Sequence, residues 1–255
     1  MKLICKNYEV KNYLTLIPLG DMHFGSKDCD VRIFEAHLDM IKKMKDCAVI
    51  LMGDLINTGT RDSVGAGSYD DIYTPEEQYE RMLEYLTPIK DKILGCLQGN
   101  HEERVRNSTS FDINKLFAEK LGVTYLQYGG LIKLKINSIN YHIYAIHGGS
   151  CATTLAGKMN ACRKMQEKVN ADIYLHAHTH GLDYSPQIYY EIDNRNKMIV
   201  QRIKHFVLTG SFTIWDGSYG EMKSLSPSPI GIPKIKLFGD LSRGAKKIKV
   251  EFTDR

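Results

Sequence analysis

Asp21-Met22-His23, Gly53-Asp54, Gly99-Asn100-His101-Glu102, His147-Gly148 and His178-Thr179-His180 are five short polar clusters in a chain of 255 residues. They offer three carboxylates, one amide and five imidazoles, more nitrogen and oxygen donors than one metal ion needs. Two cations sharing a bridging carboxylate is the simplest chemistry for such a set. In an extended segment residues i and i+2 face the same way, so Asp21 and His23 should grip one ion together. The same spacing places His178 beside His180, unless backbone curvature splits them between two ions. The amide of Asn100 suits a hard, oxygen-preferring ion better than a structural zinc site.

Each cluster follows an apolar, strand-like run, at 14–19, 48–52, 93–97, 141–146 and 172–175. The expectation is that all five emerge at the carboxyl edge of one sheet, where open α/β sheets bind ligands. Helices should return the chain between strands. Asp30 can cap one whose apolar residues Ile33, Phe34, Leu38, Ile41 and Met44 recur at helical spacing. Thr74-Pro75-Glu76-Glu77 combines a cap hydroxyl, proline at the first helical position and a carboxylate three residues after the cap. A third helix is expected between Ser110 and Gly122, and another over 158–169. Residues 137–140 join two apolar runs as a hairpin. After Pro186 the pattern is strand-rich, at 188–192, 198–203, 206–208, 235–238 and 246–252, which predicts a second, more antiparallel sheet. The fold class is therefore a layered α/β/β/α sandwich with mixed sheets, one domain over 1–255, and a dinuclear metal site at the carboxyl ends of the strands.

Composition narrows the function classes. No segment approaches the run of about 18 apolar residues that spans a bilayer, and 1–10 holds no apolar stretch of signal-peptide length, so the expectation is a cytoplasmic protein without a membrane partner. Six cysteines without a Cys-x-x-Cys pair fit reduced thiols. The net charge of +4 is too small to signify nucleic-acid binding by itself. It is uneven, however: residues 191–255 hold 12 Lys and Arg against 7 Asp and Glu, densest at Arg243, Lys246, Lys247 and Lys249. Beside a phosphate site such a tail would steer a polyanion. The glycine-rich stretch 58–73 contains Arg61 and is long enough for a lid.

Taken together, Asp-x-His, Gly-Asp, Gly-Asn-His-Glu, a lone His and His-x-His over residues 21–180 resemble the signature of the calcineurin-like metallophosphoesterase superfamily. The resemblance implies that Asp21, His23 and His180 hold one divalent metal, that Asn100, His147 and His178 hold the other, and that Asp54 bridges them. It implies that His101 is no ligand but faces the substrate and protonates the leaving oxygen, while metal-activated water attacks phosphorus in line. The sequence departs from the pattern at Ala177, where the last motif usually has glycine. It departs again at Asn57, where the protein serine/threonine phosphatase branch has an aspartate that orients the catalytic histidine; this argues against a protein phosphatase. Glu102 and Glu103 are the candidates left to orient His101. The run 21–25 is similar to the opening motif of the DNA-repair nuclease branch, and the whole looks closest to small phage-type and bacterial members.

Phosphate recognition is expected from Arg61, Arg104 and Lys158, with Arg106 and Arg163 also considered, because guanidinium groups bind phosphate oxygens bidentately and an ammonium adds a point charge. His37, His142, His176 and His205 read as structural. The expected activity is a two-metal phosphodiesterase acting on nucleic acid or nucleotides, with a phosphomonoesterase as the alternative. A silent scaffold would have no need of His101 beside seven ligand positions. Manganese is the favoured ion, since mixed carboxylate, amide and imidazole ligands suit it, with iron, zinc or nickel also compatible.

Overall fold

In the computed structural model the described residues are 1–60, 71–242 and 245–253. The strands run β1 (Lys2–Tyr8), β2 (Tyr13–Leu19), β3 (Cys47–Leu51), β4 (Ile93–Leu97), β5 (Thr124–Gln127), β6 (Gly129–Ile136), β7 (Ile139–Ile146), β8 (Ile173–His176), β9 (Leu182–Asp193), β10 (Met198–Thr209), β11 (Ile232–Ser242) and β12 (Ala245–Thr253). They form two six-stranded sheets, ordered β12-β11-β2-β3-β4-β5 and β1-β6-β7-β8-β10-β9. Both are mixed. β2, β3, β4 and β5 are mutually parallel and β11 and β12 antiparallel to their neighbours, while β7, β8 and β10 run parallel beside antiparallel β6 and β9.

The helices are α1 (Val31–Lys43), α2 (Pro75–Leu86), α3 (Asn100–Thr109), α4 (Ile113–Leu121), α5 (Leu155–Arg163) and the short α6 (Tyr219–Met222). Alternate residues of β2 and β3 serve two cores. Ile17, Leu19, Val49 and Leu51 pack under Phe34, Met82 and Phe117 of the helical layer, while Leu14, Leu16, Ala48 and Ile50 meet Leu134, Ile143 and Leu175 of the other sheet. On the far side Tyr174, Phe206 and Leu208 pack against Met159 and Cys162 of α5. The result is the α/β/β/α layering expected from the sequence.

Local signals were accurate where one hydrogen bond decides. The Asp30 carboxylate accepts from the Ile33 amide at 3.2 Å, and Thr74 with Glu77 closes a capping box. Two expectations need correction. Strands after Pro186 do not make a sheet of their own: β9 and β10 join one sheet, and β11 and β12 extend the other beyond β2. The helix over 158–169 begins earlier and tightens after Arg163 into a 3-10 turn ending at Glu167. Residues 61–70 of the expected lid, with Arg61, lie outside the described residues, as does Arg243.

His37 and His205 are structural, as their positions suggested. His37 bonds the Ile33 carbonyl at 2.7 Å and the Thr253 hydroxyl at 2.9 Å. His205 is buried, shares a 2.8 Å hydrogen bond with the Tyr184 hydroxyl, and is pushed down by burial to a pKa of about 4. Since its folded value lies below the unfolded one, its contribution to stability is complete above about pH 6.5 and is lost as pH falls towards 4. Between pH 7 and pH 5 the unfolding free energy of the parent should therefore fall by about 2 kcal/mol more than that of His205→Phe. Parallel pH profiles of the two proteins in urea titrations would contradict this.

Candidate metal centre

The five clusters meet, but from two sheets and not from one edge. Asp21 and His23 follow β2, Asp54 follows β3, and Asn100, His101 and Glu102 open α3 after β4; His147 follows β7, and His178 and His180 follow β8 in the facing sheet. The site therefore sits across the carboxyl ends of both layers. Its halves are tied by the buried Asp21 carboxylate, which accepts from the His178 amide at 2.9 Å.

The backbone of these clusters is not extended either. Asp21, His23, Asp54, His178 and His180 all have positive φ, between 48° and 65°. Asp and His tolerate the left-handed region better than most residues, and each such position costs energy that the surrounding structure must offset. The turns bring the polypeptide close to itself. A Cβ on Gly99 would stand 2.0 Å from the Asp54 amide nitrogen, and one on Gly53 would stand 2.7 Å from Gly99 Cα. Glycine before Asp54 and before Asn100 is thus a requirement of contact between two loops.

All seven residues expected as ligands converge. Donor atoms of Asp21, His23 and His180 lie within 4.8 Å of one another, and so do those of Asp54, His147 and His178. Asn100 Oδ1 stands 2.9 Å from His147 Nε2 and 2.7 Å from His178 Nδ1. Asp54 lies between the two sets, its carboxylate 3.3 Å from His147 Nε2 and 3.7 Å from His23 Nε2. His23 Nε2 and His180 Nε2 are 3.0 Å apart. Two nitrogens each ~2.1 Å from one cation at a right angle would be separated by about this much, so the donor set fits a pair of divalent ions.

Hydrogen bonds behind the donors fix the orientation of their rings. His147 Nδ1 donates to the Met52 carbonyl at 2.8 Å, and His180 Nδ1 lies 3.1 Å from the Thr213 hydroxyl, which turns both Nε2 atoms inward. Burial, then the neighbouring His101, holds the His23 pKa down to about 3; burial, then His23, lowers His180 well below the ordinary value. Neutral imidazoles with free lone pairs are what a cation requires. At His147 burial acts in the same direction but the adjacent Asp54 carboxylate outweighs it and raises the group to about 10.

Glu102 and Glu103 do not orient His101. Glu102 is fully buried and instead accepts from the backbone amides of Asp54, Leu55 and Ile56 at 3.2, 2.7 and 3.2 Å. Glu103 accepts from the Tyr128 hydroxyl at 2.9 Å. The His101 ring donates through Nδ1 to the Asn57 carbonyl at 2.7 Å, so the backbone of Asn57 does the orienting whatever its side chain. His101 Nε2 accepts from Arg104 at 2.9 Å, and the His101 ring stacks edge-on against His23 at 4.3 Å. Burial, against the pull of Asp54, lowers His101 to about 4.

Of the expected phosphate readers, Arg104 thus stands at the site. Lys158 is 5% exposed, its stem packs near Gly181, and burial lowers its pKa. Arg106 bonds the Tyr128 hydroxyl at 3.1 Å, and Arg163 bonds Ser185 on β9. Lys246, Lys247 and Lys249 of the basic tail lie elsewhere. β11 pairs antiparallel with β2 and Leu241 pairs with Lys246, so the start of β12 lies beyond Tyr13, at the end of the sheet opposite the clusters. Sequence reasoning missed Thr213 and the Met52 and Asn57 carbonyls, which carry no motif. It also missed a cleft of about 790 Å³ that runs from Asn100 and His147 past Tyr128 and Tyr144 to Lys164 and Lys168.

The sequence model of the calcineurin-like phosphoesterases matches residues 14–182, from β2 through the last of the clusters. The chain belongs to that family. Metal-dependent phosphoester hydrolysis is the family's activity, and divalent cations are its cofactors. This phosphoesterase-family chain matches no curated protein sequence. Among solved structures it is similar to vacuolar protein sorting 29 from Cryptosporidium parvum, with a TM-score of 0.47 and 15% identity over 96% of this chain and 100% of that one. None of the described helices is long and apolar enough to cross a membrane.

Proposed function

We propose that this member of the family is a phosphodiesterase acting on nucleic acid or nucleotides. Two metals would be held by Asp21, His23 and His180 on one side and Asn100, His147 and His178 on the other, with Asp54 shared. The observation that carries this reading is Asp54 standing between both donor sets with His101 and Arg104 beside it. Two bound cations, manganese being favoured, would supply charge neutralisation of phosphoryl oxygens and an acidified water.

The chain's own groups do the rest. Arg104 and the buried Lys158 supply positive charge for the phosphate, and Arg61 is assigned to the same task. An anionic phosphate beside His101 raises its pKa from about 4. Once Nε2 is protonated it no longer accepts from Arg104, so that guanidinium N–H can turn to a phosphate oxygen while the imidazolium faces the leaving oxygen. The Asn57 carbonyl keeps the ring in place throughout. Room for a second ester substituent, where a monoester has only a bare oxygen, favours a diester: the cleft beside Asn100 and His147 offers Tyr128 for stacking and Lys164 and Lys168 for a further phosphate.

The test compares bis-p-nitrophenyl phosphate with p-nitrophenyl phosphate in the manganese-loaded protein. The diester should be preferred, and His101→Ala should lower its turnover by about 10² to 10⁴ while metal content stays near that of the parent. Preference for the monoester would make the protein a phosphomonoesterase. An unimpaired His101→Ala protein would remove the proposed role of His101, and silence on both esters in a metal-loaded protein would leave a binding scaffold.

A further inference from the structure

The ribbon of β9 and β10 carries an apolar face that no other described element covers. Its register pairs Ile188 with Ile203, Tyr190 with Gln201 and Ile192 with Ile199. Directly paired residues share a face of an antiparallel ribbon, as do residues two apart along each strand. All six side chains therefore lie together. Nearer the body of the protein the same face continues through the pair Tyr184 and Val207, which belong to the core between the two sheets. The opposite face turns to the α5 side, where the Tyr189 hydroxyl bonds Gln166 and the Lys204 ammonium lies 5.8 Å from the Tyr174 ring centre.

A core-type register thus runs on past the sheet that should cover it. Exposure reaches 72% at Tyr190 and Ile192, 71% at Ile199 and 53% at Ile188, with Ile203 at 39%. Together these residues expose of order 600 Å² of surface, most of it apolar, close to the upper end of the largest patch on an ordinary monomer.

We infer that this face is the contact between two copies of the chain. Two such faces would bury roughly 1,200 Å², the lower bound of a standard stable interface. The patch is also self-complementary in the way a two-fold axis demands. With the axis through the middle pair, the outer isoleucines Ile192 and Ile199 of one copy meet the inner isoleucines Ile188 and Ile203 of the other. Tyr190 and Gln201 then meet their own counterparts, the phenol and the amide each offering a donor and an acceptor. No charged side chain lies on this face; the ion pair Arg202–Glu191, at 2.7 Å, is on the other. A different protein would find nothing there to read by charge, whereas a second copy matches apolar with apolar, amide with amide and phenol with phenol. Because β10 runs parallel to β8 and reaches the metal centre at its carboxyl end, the ribbon tip points away from that centre, which stays open in the dimer. The inference is independent of the proposed catalysis.

Sedimentation velocity of the whole chain at about 20 µM decides it. The parent should sediment at twice its 29.0 kDa mass. Ile192→Lys with Ile199→Glu keeps a favourable cross-strand pair within the ribbon yet places charges against isoleucines of the second copy. That protein should be monomeric, its dissociation constant raised about a hundredfold or more, with an unchanged far-ultraviolet dichroism spectrum. Gln201→Cys, on the axis, should yield a disulfide-linked dimer on mild oxidation under conditions where the parent yields none. A monomeric parent, a dimer indifferent to both substitutions, or a monomer that instead floats with anionic lipid vesicles would overturn the assignment.

Discussion

Asp54→Asn should leave the fold intact while removing most of the bound divalent metal and about four orders of magnitude of phosphodiester turnover. The carboxylate is fully buried and is held from behind: Oδ1 accepts from the His101 amide at 2.9 Å, a bond that an asparagine carbonyl can still make. What the substitution takes away is charge. Asp54 stands between both donor sets, so on the proposed assignment its loss would affect two cations, whereas loss of His23 or His178 would affect one. A neutral amide also presents N–H groups to His147 Nε2, now 3.3 Å from a carboxylate oxygen. Without the anion, His147 loses the interaction that raises it to about 10, and burial drives it down. The measurements are metal per chain by plasma mass spectrometry and turnover of the diester in manganese. A variant that keeps about two metals and turns over within tenfold of the parent would refute the shared-ligand role. His101→Ala provides the contrast, since there metal should stay and only turnover should fall.

The convergent clusters were legible because residue types suited to holding cations stand in short, distinctive runs. The path of the chain around them was less so. Asp30 and Thr74 announced α1 and α2 because a cap is a bond between residues three apart. β1 gave no such signal: five of its seven side chains are exposed, two of them lysines, and it is a strand only because it pairs with β6, more than a hundred positions later. α3 was hidden by its own function, as its first turn is Asn100-His101-Glu102 and its surface is almost wholly polar. The five left-handed residues could not be foreseen from an alternating pattern, since the period-two argument assumes the extended backbone that the clusters abandon. Two sheets supply the site for a similar reason. Strand runs look alike whichever layer they enter, and the crossover that sends β6, β7 and β8 to the facing layer is a long-range choice. Thr213 behind His180 is a lone threonine with no spacing to mark it.

Glu102→Ala is expected to lower stability by about 4 kcal/mol, more than any other single change outside the apolar core. From sequence, Glu102 looked like one of several charges at the start of a polar helix. In the fold it is the acceptor for three consecutive backbone amides, those of Asp54, Leu55 and Ile56, in a place water does not reach. Truncation leaves those donors unpaired, each costing about 1 to 3 kcal/mol, less whatever a water entering the new cavity recovers. Glu102→Gln keeps one carbonyl oxygen in the shape of the original and should lose about 1 to 2 kcal/mol, so the pair separates loss of acceptors from loss of volume. Urea unfolding of both variants measures this, and an alanine protein within 1 kcal/mol of its parent would show that the amides find other partners. The consequence for function follows from position. The amides that Glu102 holds fix the left-handed turn at Asp54, and the Gly53 and Gly99 loops are in contact on either side of it. Metal content of Glu102→Ala should therefore fall at temperatures well below its unfolding midpoint, because the turn that aims the shared carboxylate loosens before the sheets separate.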